Sequence, residues 1–188
     1  MYVSSVQGGV VTKEDMHELA MLTAMALQQR CTEQRHYEPF ESTIFHSCRI
    51  PQISLWDYVR RIAKYFACSP SCFVQSIIFL DRYVEASNIP ITFHNVHRLM
   101  ITAAMVSAKL NDDACYNNAY YAHIGGISNA ELNSLELAFL KTIGWCTWVE
   151  PNEYERYFLH LQLVFATSLG SEITPQAPGY AINGIGVE

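Results

Sequence analysis

The chain of 188 residues is short of charge: only 16% of its residues are Asp, Glu, Lys or Arg, and the net charge is −6. Non-specific nucleic-acid binding needs clustered Lys and Arg to neutralise phosphates, so this balance argues against it. The sequence has no apolar run of about 18 residues, the length that could span a bilayer, and no Asn-x-Ser/Thr glycosylation site. We therefore expect a soluble, intracellular protein of the cytoplasm, the nucleus or both.

The six cysteines lack the spacing of a metal site. Of the cysteines only Cys68 and Cys72 are close together, and no second pair of cysteines accompanies them. We interpret the cysteines as free, buried thiols and predict neither a metal nor a cofactor. Half of the residues are apolar, which excludes general disorder and suggests that part of the apolar surface serves a partner.

Helix caps, glycines and prolines divide the chain into helical segments, and no stretch alternates like a strand. This pattern predicts a single all-α domain. Helices are expected to begin after Thr12, Ser54, Ser69, Thr92 and Ser128 and at Pro151. The stretch from Tyr116 to Ile124 allows one further short helix, which Gly125 and Gly126 would end. The predicted divisions are a flexible N-terminus (1–11), an N-terminal helix with a connecting segment (12–51), a core of helices (52–150), a C-terminal helix (151–169) and a disordered tail (170–188).

The stretch from His94 to Asp113 predicts a helix that is apolar on nearly every face and ends in a charge. No charged residue occurs from Leu99 to Ala108, and such a helix is normally surrounded by other helices. Lys109 follows at its end among apolar neighbours, and Glu136 lies in the middle of the apolar stripe of a later helix. An isolated ion in an apolar setting costs several kcal/mol, so each charge should have a partner.

Two interpretations of these charges are open from the residues alone. In the structural one, Lys109 is a cation at a helix C-terminus and Glu136 pairs with it. In the functional one, both stand on an apolar patch at the ends of two helices and reach the backbone of a docked helix or loop. For Asp81 we predict a structural salt bridge to Arg60 or Arg61, which would join the first two core helices.

Two runs of the chain resemble the first half of a cyclin box, SLWDYVRRIAKYFACSP and IIFLDRY. Two further runs, SAKLND and NNAYYAHIGGISNAELNSLELAFLKTIGW, resemble its second half. The pattern YAxxGGIS-x-x-ELN-x-LE-x-x-FL is similar to that of the P/U-type cyclins, the group that includes the fungal phosphate-response cyclin. The resemblance extends from about Ile53 to Glu150 and implies a cyclin fold, in which a five-helix cyclin box (52–150) has an extra N-terminal helix and a C-terminal helix.

The resemblance also implies a function. It implies a regulatory subunit that binds and activates a cyclin-dependent serine/threonine kinase by holding the kinase helix αC in its active position, with no catalytic residues of its own. The lysine and glutamate by which cyclins contact their kinase fall on Lys109 and Glu136, and the apolar contacts fall on Leu110, Leu140 and Trp145. The segment that bears an MRAIL-type docking motif in mitotic cyclins is ISLWDYVRRI here, so docking of RxL-type substrates is not expected.

Two other classes of function are weighed against this one. A cyclin-fold scaffold or transcription-type adaptor would not activate a kinase, and its DNA-binding relatives need basic surfaces that this chain lacks. A small helical enzyme could use His94 with His97, or His46 with Cys48, but no acidic partner stands at matching spacing. We therefore expect a protein kinase as the partner, and neither nucleic acid, a membrane nor a small-molecule substrate.

Overall fold

The computed structural model describes residues 13–37 and 42–168, which form seven α-helices and no strand. They are α1 (Lys13–Glu33), α2 (Leu55–Tyr65), α3 (Ser71–Ser87), α4 (Val96–Asn111), α5 (Asn118–Gly125), α6 (Asn129–Thr142) and α7 (Pro151–Ser168). The predicted all-α class is confirmed, with five core helices between an N-terminal and a C-terminal helix. The predicted flexible N-terminus and disordered tail lie outside the described residues, as does the predicted cap Thr12.

Side-chain caps confirm two of the predicted helix starts. Ser54 Oγ accepts a hydrogen bond from the N–H of Asp57 at 3.0 Å, and Ser128 Oγ accepts one from the N–H of Glu131 at 3.1 Å. Each bond satisfies an amide group that the first turn of a helix leaves unpaired. The Glu131 carboxylate, which a capping box would direct back to Ser128, instead binds the Arg98 guanidinium of α4 with a separation of 2.7 Å.

Two other predicted helix starts are wrong by about a turn or less. The sequence pattern places the start of the fourth core segment after Thr92, but α4 begins at Val96. The reason is that Asn95 Oδ1 accepts the N–H of Thr92 at 2.8 Å, so the side chain of Asn95 closes a turn before the helix. Helix α3 begins at Ser71 without a side-chain cap hydrogen bond, and not directly after Ser69.

Helix α4 is the central helix of the domain, as its apolar sequence predicts. Every residue from Leu99 to Ala108 is buried, and α4 packs against α2, α3, α5 and α6. Ala103 and Ala104 leave little side chain between α4 and its neighbours, which permits close helix packing. Beyond Ala108 the last turn of α4 reaches the surface, where a partner can contact it.

The C-terminal end of α5 is fixed by a close contact with α4. A Cβ atom added to Gly125 would lie 2.8 Å from Ile101 Cγ1, which is too close for any residue other than glycine. The Gly125 carbonyl accepts a hydrogen bond from the Tyr58 hydroxyl of α2 at 3.2 Å. Gly126 then ends the helix in the left-handed conformation, as the sequence predicts. The short helix α5 therefore has a defined position beside α6.

The outer helices α1 and α7 pack against each other and against α3. Leu161 of α7 and Leu27 of α1 are both fully buried, so these helices belong to the same core as the five between them. None of the described helices has the length and apolar character needed to cross a membrane.

Candidate functional site

Lys109 and Glu136 form an ion pair between the last turn of α4 and the middle of α6. Lys109 Nζ lies 2.6 Å from Glu136 Oε1. The two side chains are 30% and 19% exposed, so the pair stands at the border between the core and solvent. The pairing predicted from the two misplaced charges is thus confirmed, while its role in binding stays a prediction.

The second carboxylate oxygen of Glu136 is held by a residue that the sequence patterns did not identify. Asn118 Nδ2 donates one hydrogen bond to Glu136 Oε2 and another to Asn133 Oδ1, each at 2.7 Å. Asn118 is the first residue of α5, directly after the N-cap residue Asn117. Asn118 and Glu136 are 18 residues apart and lie on different helices, so the periodicity within one helix could not have revealed the contact.

The predicted apolar contacts differ in their exposure. Leu110, next to Lys109, is 52% exposed, and Trp145 is 59% exposed. Leu140 lies one turn after Glu136 on α6 and is half-buried. The N–H of Trp145 donates to the carbonyl of Leu140 at 2.9 Å, which folds the chain back onto the end of α6. The residues expected to contact a kinase therefore lie on α4, on α6 or in the turn after α6, and the Lys109–Glu136 ion pair connects the two helices.

Trp145 has a backbone conformation that a tryptophan rarely adopts. Its φ is +59°, and that of the preceding Gly144 is +60°. The left-handed region costs a residue with a Cβ atom about 1 to 2 kcal/mol, and such conformations cluster at functional sites. Within this turn the indole of Trp145 stays largely in solvent instead of entering the core. The turn thus presents a large apolar side chain at the surface.

The predicted salt bridge between Asp81 and Arg61 is wrong. The Asp81 carboxylate binds the Arg30 guanidinium of α1 through both oxygens, with Arg30 Nη2 at 3.2 Å from Oδ2. Arg61 instead donates to the carbonyl of His123 in α5 at 3.2 Å, and Arg60 is exposed. The physical reason is that α1 packs across α3 and brings its own arginine to Asp81, a tertiary contact that no helical period reveals.

The histidines of the alternative enzyme hypothesis are engaged with the main chain. His97 Nε2 lies 3.2 Å from the carbonyl oxygen of Ile53, and His94 Nδ1 lies 3.0 Å from that of Ser47. In the part of the chain that the structure describes, no group of three or more His, Cys, Asp and Glu residues is placed to hold a metal ion.

The cysteines are free thiols, but only half of them are buried. Cys31, Cys68 and Cys72 lie in the core, whereas Cys48, Cys115 and Cys146 are exposed, contrary to the predicted burial. Burial raises the pKa of the Cys31 thiol to about 12, so this group stays protonated at neutral pH.

Comparison with known proteins assigns the family. Residues 8–146 match the cyclin family model, a range that includes Lys109, Glu136 and the three predicted apolar contacts. The chain belongs to the cyclin family. As a cyclin, it is 50% identical to Cyclin-U4-1 of Arabidopsis thaliana over 121 residues, 64% of this chain and 60% of that relative.

Two further relatives support the P/U type. Identity is 46% over 121 residues to Cyclin-P3-1 of Oryza sativa subsp. japonica, covering 64% of this cyclin and 51% of the relative. It is 42% over 160 residues to Cyclin-U4-2 of Arabidopsis thaliana, covering 80% of this cyclin and 74% of the relative. The resemblance to P/U-type cyclins is thereby confirmed. Cyclins are regulatory, non-catalytic proteins. This cyclin spans less than two thirds of the length of Cyclin-U4-1 and of Cyclin-P3-1.

Proposed function

We propose that this cyclin binds and activates a cyclin-dependent serine/threonine kinase through the surface formed by Lys109, Leu110, Glu136, Leu140 and Trp145, here called the kinase-facing surface. The observation that supports the proposal is the Lys109–Glu136 ion pair, which lies partly in solvent and is joined through α4 and α6 to exposed apolar side chains. Leu110 follows Lys109 in α4, and Trp145 is hydrogen-bonded to Leu140, one turn after Glu136, so apolar area and charge are available to a partner on the same two helices.

The chemistry of this surface suits the backbone of a docked helix or loop. The Lys109 ammonium has three N–H donors and directs one of them to Glu136, which leaves donors for the carbonyl groups of a partner. The Glu136 oxygens have free lone pairs that can accept backbone N–H groups. Leu110 and Trp145 provide apolar area that binding removes from water. The charges would fix the register of the partner, and the apolar side chains would supply affinity.

Activation follows from the requirements of the kinase. A protein kinase needs an ion pair between a strand lysine and a glutamate of its helix αC before it holds ATP phosphates productively. A cyclin that binds only the state with αC in place shifts the population toward that state. A shift from 1:99 to 99:1 requires about 5.5 kcal/mol of differential binding energy.

The test begins with the kinase recovered together with the tagged full chain from its own cells. The double variant Lys109→Ala, Glu136→Ala should bind that kinase at least about thirtyfold more weakly, because truncating a charge pair in an interface costs about 2 kcal/mol or more. Kinase activity toward a peptide substrate should fall in parallel, while circular dichroism shows unchanged helicity.

A matched control removes the same two charges elsewhere. Lys64 and Glu155 are exposed on α2 and α7, so the double variant Lys64→Ala, Glu155→Ala should bind like the wild type. Equal binding by the wild type and the Lys109/Glu136 variant would refute the kinase-facing surface, and the absence of any co-purified kinase would refute the proposed function.

A further inference from the structure

Asn118 is the described residue that links the kinase-facing surface to α5. Both hydrogens of its Nδ2 atom are used, one on Glu136 Oε2 and one on Asn133 Oδ1, each at 2.7 Å. Asn133 and Glu136 are three residues apart and therefore neighbours on one face of α6. The amide of Asn118 thus spans nearly a turn of α6 and cannot rotate without losing one of the two bonds.

This arrangement fixes the whole carboxylate of Glu136. Lys109 binds Oε1 from α4, and Asn118 binds Oε2 from α5. Held by Lys109 alone, the carboxylate could turn about its last bond, since a single contact leaves the second oxygen free. With both oxygens held, the plane of the carboxylate is set before any partner arrives.

The helix that carries the Asn118 amide is held in place at both of its ends. Asn117 Oδ1 accepts the N–H of Tyr120 at 3.0 Å and caps the start of α5. At the other end, Gly125 lies against Ile101 so closely that no Cβ atom would fit. The position of α5, and with it the Asn118 amide, is therefore determined by packing against α4 and is independent of a partner.

We propose that Asn118 is a positioning residue for kinase binding, which acts by holding the Glu136 carboxylate in the orientation that the kinase receives. The inference rests on the proposed kinase-binding function and deepens it. Its physical basis is preorganisation: a side chain that is already fixed does not lose conformational freedom when the partner binds. Asn118 would then affect affinity without contacting the kinase.

The experiment measures the dissociation constant of the co-purified kinase for full-length variants. Asn118→Ala should weaken binding about threefold to tenfold, the cost of immobilising one long side chain on association. Asn118→Asp has the same shape but replaces both donors by an acceptor next to Glu136, so it should bind more weakly than the alanine variant. Asn117→Ala removes the cap of α5 but leaves both the packing of Gly125 against Ile101 and the bond of Asn118 to Glu136, so it should bind within about twofold of the wild type.

A double-variant comparison separates positioning from direct contact. If Asn118 acts through the carboxylate, Asn118→Ala should weaken binding clearly less in a Glu136→Gln background than in the wild type. Equal losses in both backgrounds would mean that Asn118 contacts the kinase itself, and would overturn the inference. The inference would also be overturned if the loss of affinity followed the loss of thermal stability across the Asn117 and Asn118 variants.

Failure of the proposed function is distinguishable from failure of the inference. If the wild type binds no kinase, both are refuted together. If the wild type binds and the Lys109/Glu136 variant does not, but Asn118→Ala and Asn118→Asp bind normally, only the positioning role is refuted.

Discussion

His97 is a buried histidine with a hydrogen-bond partner for only one of its two ring nitrogens. Its Nε2–H donates to the carbonyl of Ile53 at 3.2 Å, and its Nδ1 is buried without a partner among the described residues. Burial lowers the pKa of His97 below its ordinary value of 6.5, and the bond to Ile53 offsets this effect only in part. The imidazole is therefore neutral in the folded protein at neutral pH.

We predict that His97 makes the fold less stable in mild acid. As the pH falls through 6.5, the unfolded chain binds a proton at this residue before the folded chain does, so the free energy of unfolding decreases. The uptake of one such proton changes the free energy of unfolding by at most about 1.4 kcal/mol per pH unit. His97→Gln keeps a donor for the Ile53 carbonyl but does not titrate, so urea denaturation between about pH 7.5 and pH 5.5 should show a smaller slope.

Some pH dependence should remain in this variant, because burial also lowers the pKa of His46. The His46→Gln variant is the corresponding control, and the two changes together should flatten the dependence further. An identical slope in the wild type and His97→Gln would contradict the prediction.

Individual charges show what sequence can and cannot reveal about single residues. Lys109 and Glu136 stood out because helical periodicity placed each among apolar neighbours, and their pairing is observed. The same periodicity identified Asp81 but gave the wrong partner, and it gave no indication of Asn118. Helical periodicity shows which residues of one helix share a face, but it does not show which other helix packs against that face.

At the scale of elements, α1, α3 and α7 meet at a shared carboxylate. Asp81 of α3 binds Arg30 of α1 through both oxygens and lies beside Tyr157 of α7. The pKa of Tyr157 is raised to about 12, mainly because the hydroxyl is buried and in addition because the negative Asp81 carboxylate is close to it. The Tyr157 hydroxyl therefore stays protonated at neutral pH. One carboxylate therefore joins the N-terminal and C-terminal helices to the central part of the domain.

We predict that Arg30→Ala lowers the free energy of unfolding by about 1 to 2 kcal/mol, because it leaves the partly buried Asp81 carboxylate without its guanidinium partner. Arg60→Ala removes the same charge from an exposed position on α2 and should change stability by less than about 0.5 kcal/mol. Urea denaturation of both variants at neutral pH provides the measurement. A larger effect at Arg60 than at Arg30 would restore the pairing first expected from the sequence.

At the scale of the whole molecule, the number and order of the helices were predictable, and their packing was not. Capping residues, glycines and prolines act locally, so Ser54, Ser128, Gly126 and Pro151 mark helix ends that the structure shows at the same places, to within a residue. The choice of neighbours depends on contacts distant in sequence, and the kinase-facing role of the surface came from family resemblance. The sequence predicted a helix from Pro151 without indicating that it packs on α1 and α3.

The position of α7 leads to a prediction about the whole chain. Leu161 is fully buried, three aromatic side chains of α7 are partly buried beside it, and Glu153 pairs with Arg82 of α3 at 2.8 Å. A chain ending at Glu150 loses all of these contacts. Its free energy of unfolding should fall by about 4 kcal/mol or more, since burying one large apolar side chain is worth about 1.5 to 3 kcal/mol.

A chain ending at Leu169 is the matched control, and it should be as stable as the full chain because the sequence predicts a disordered tail from Gly170 onward. Among the described helices, α7 packs on α1 and α3, whereas the kinase-facing surface is built on α4 and α6. The chain ending at Glu150 should therefore still bind the kinase at temperatures below its lowered melting point. If circular dichroism shows this chain folded and it binds no kinase, the binding surface must extend to α7.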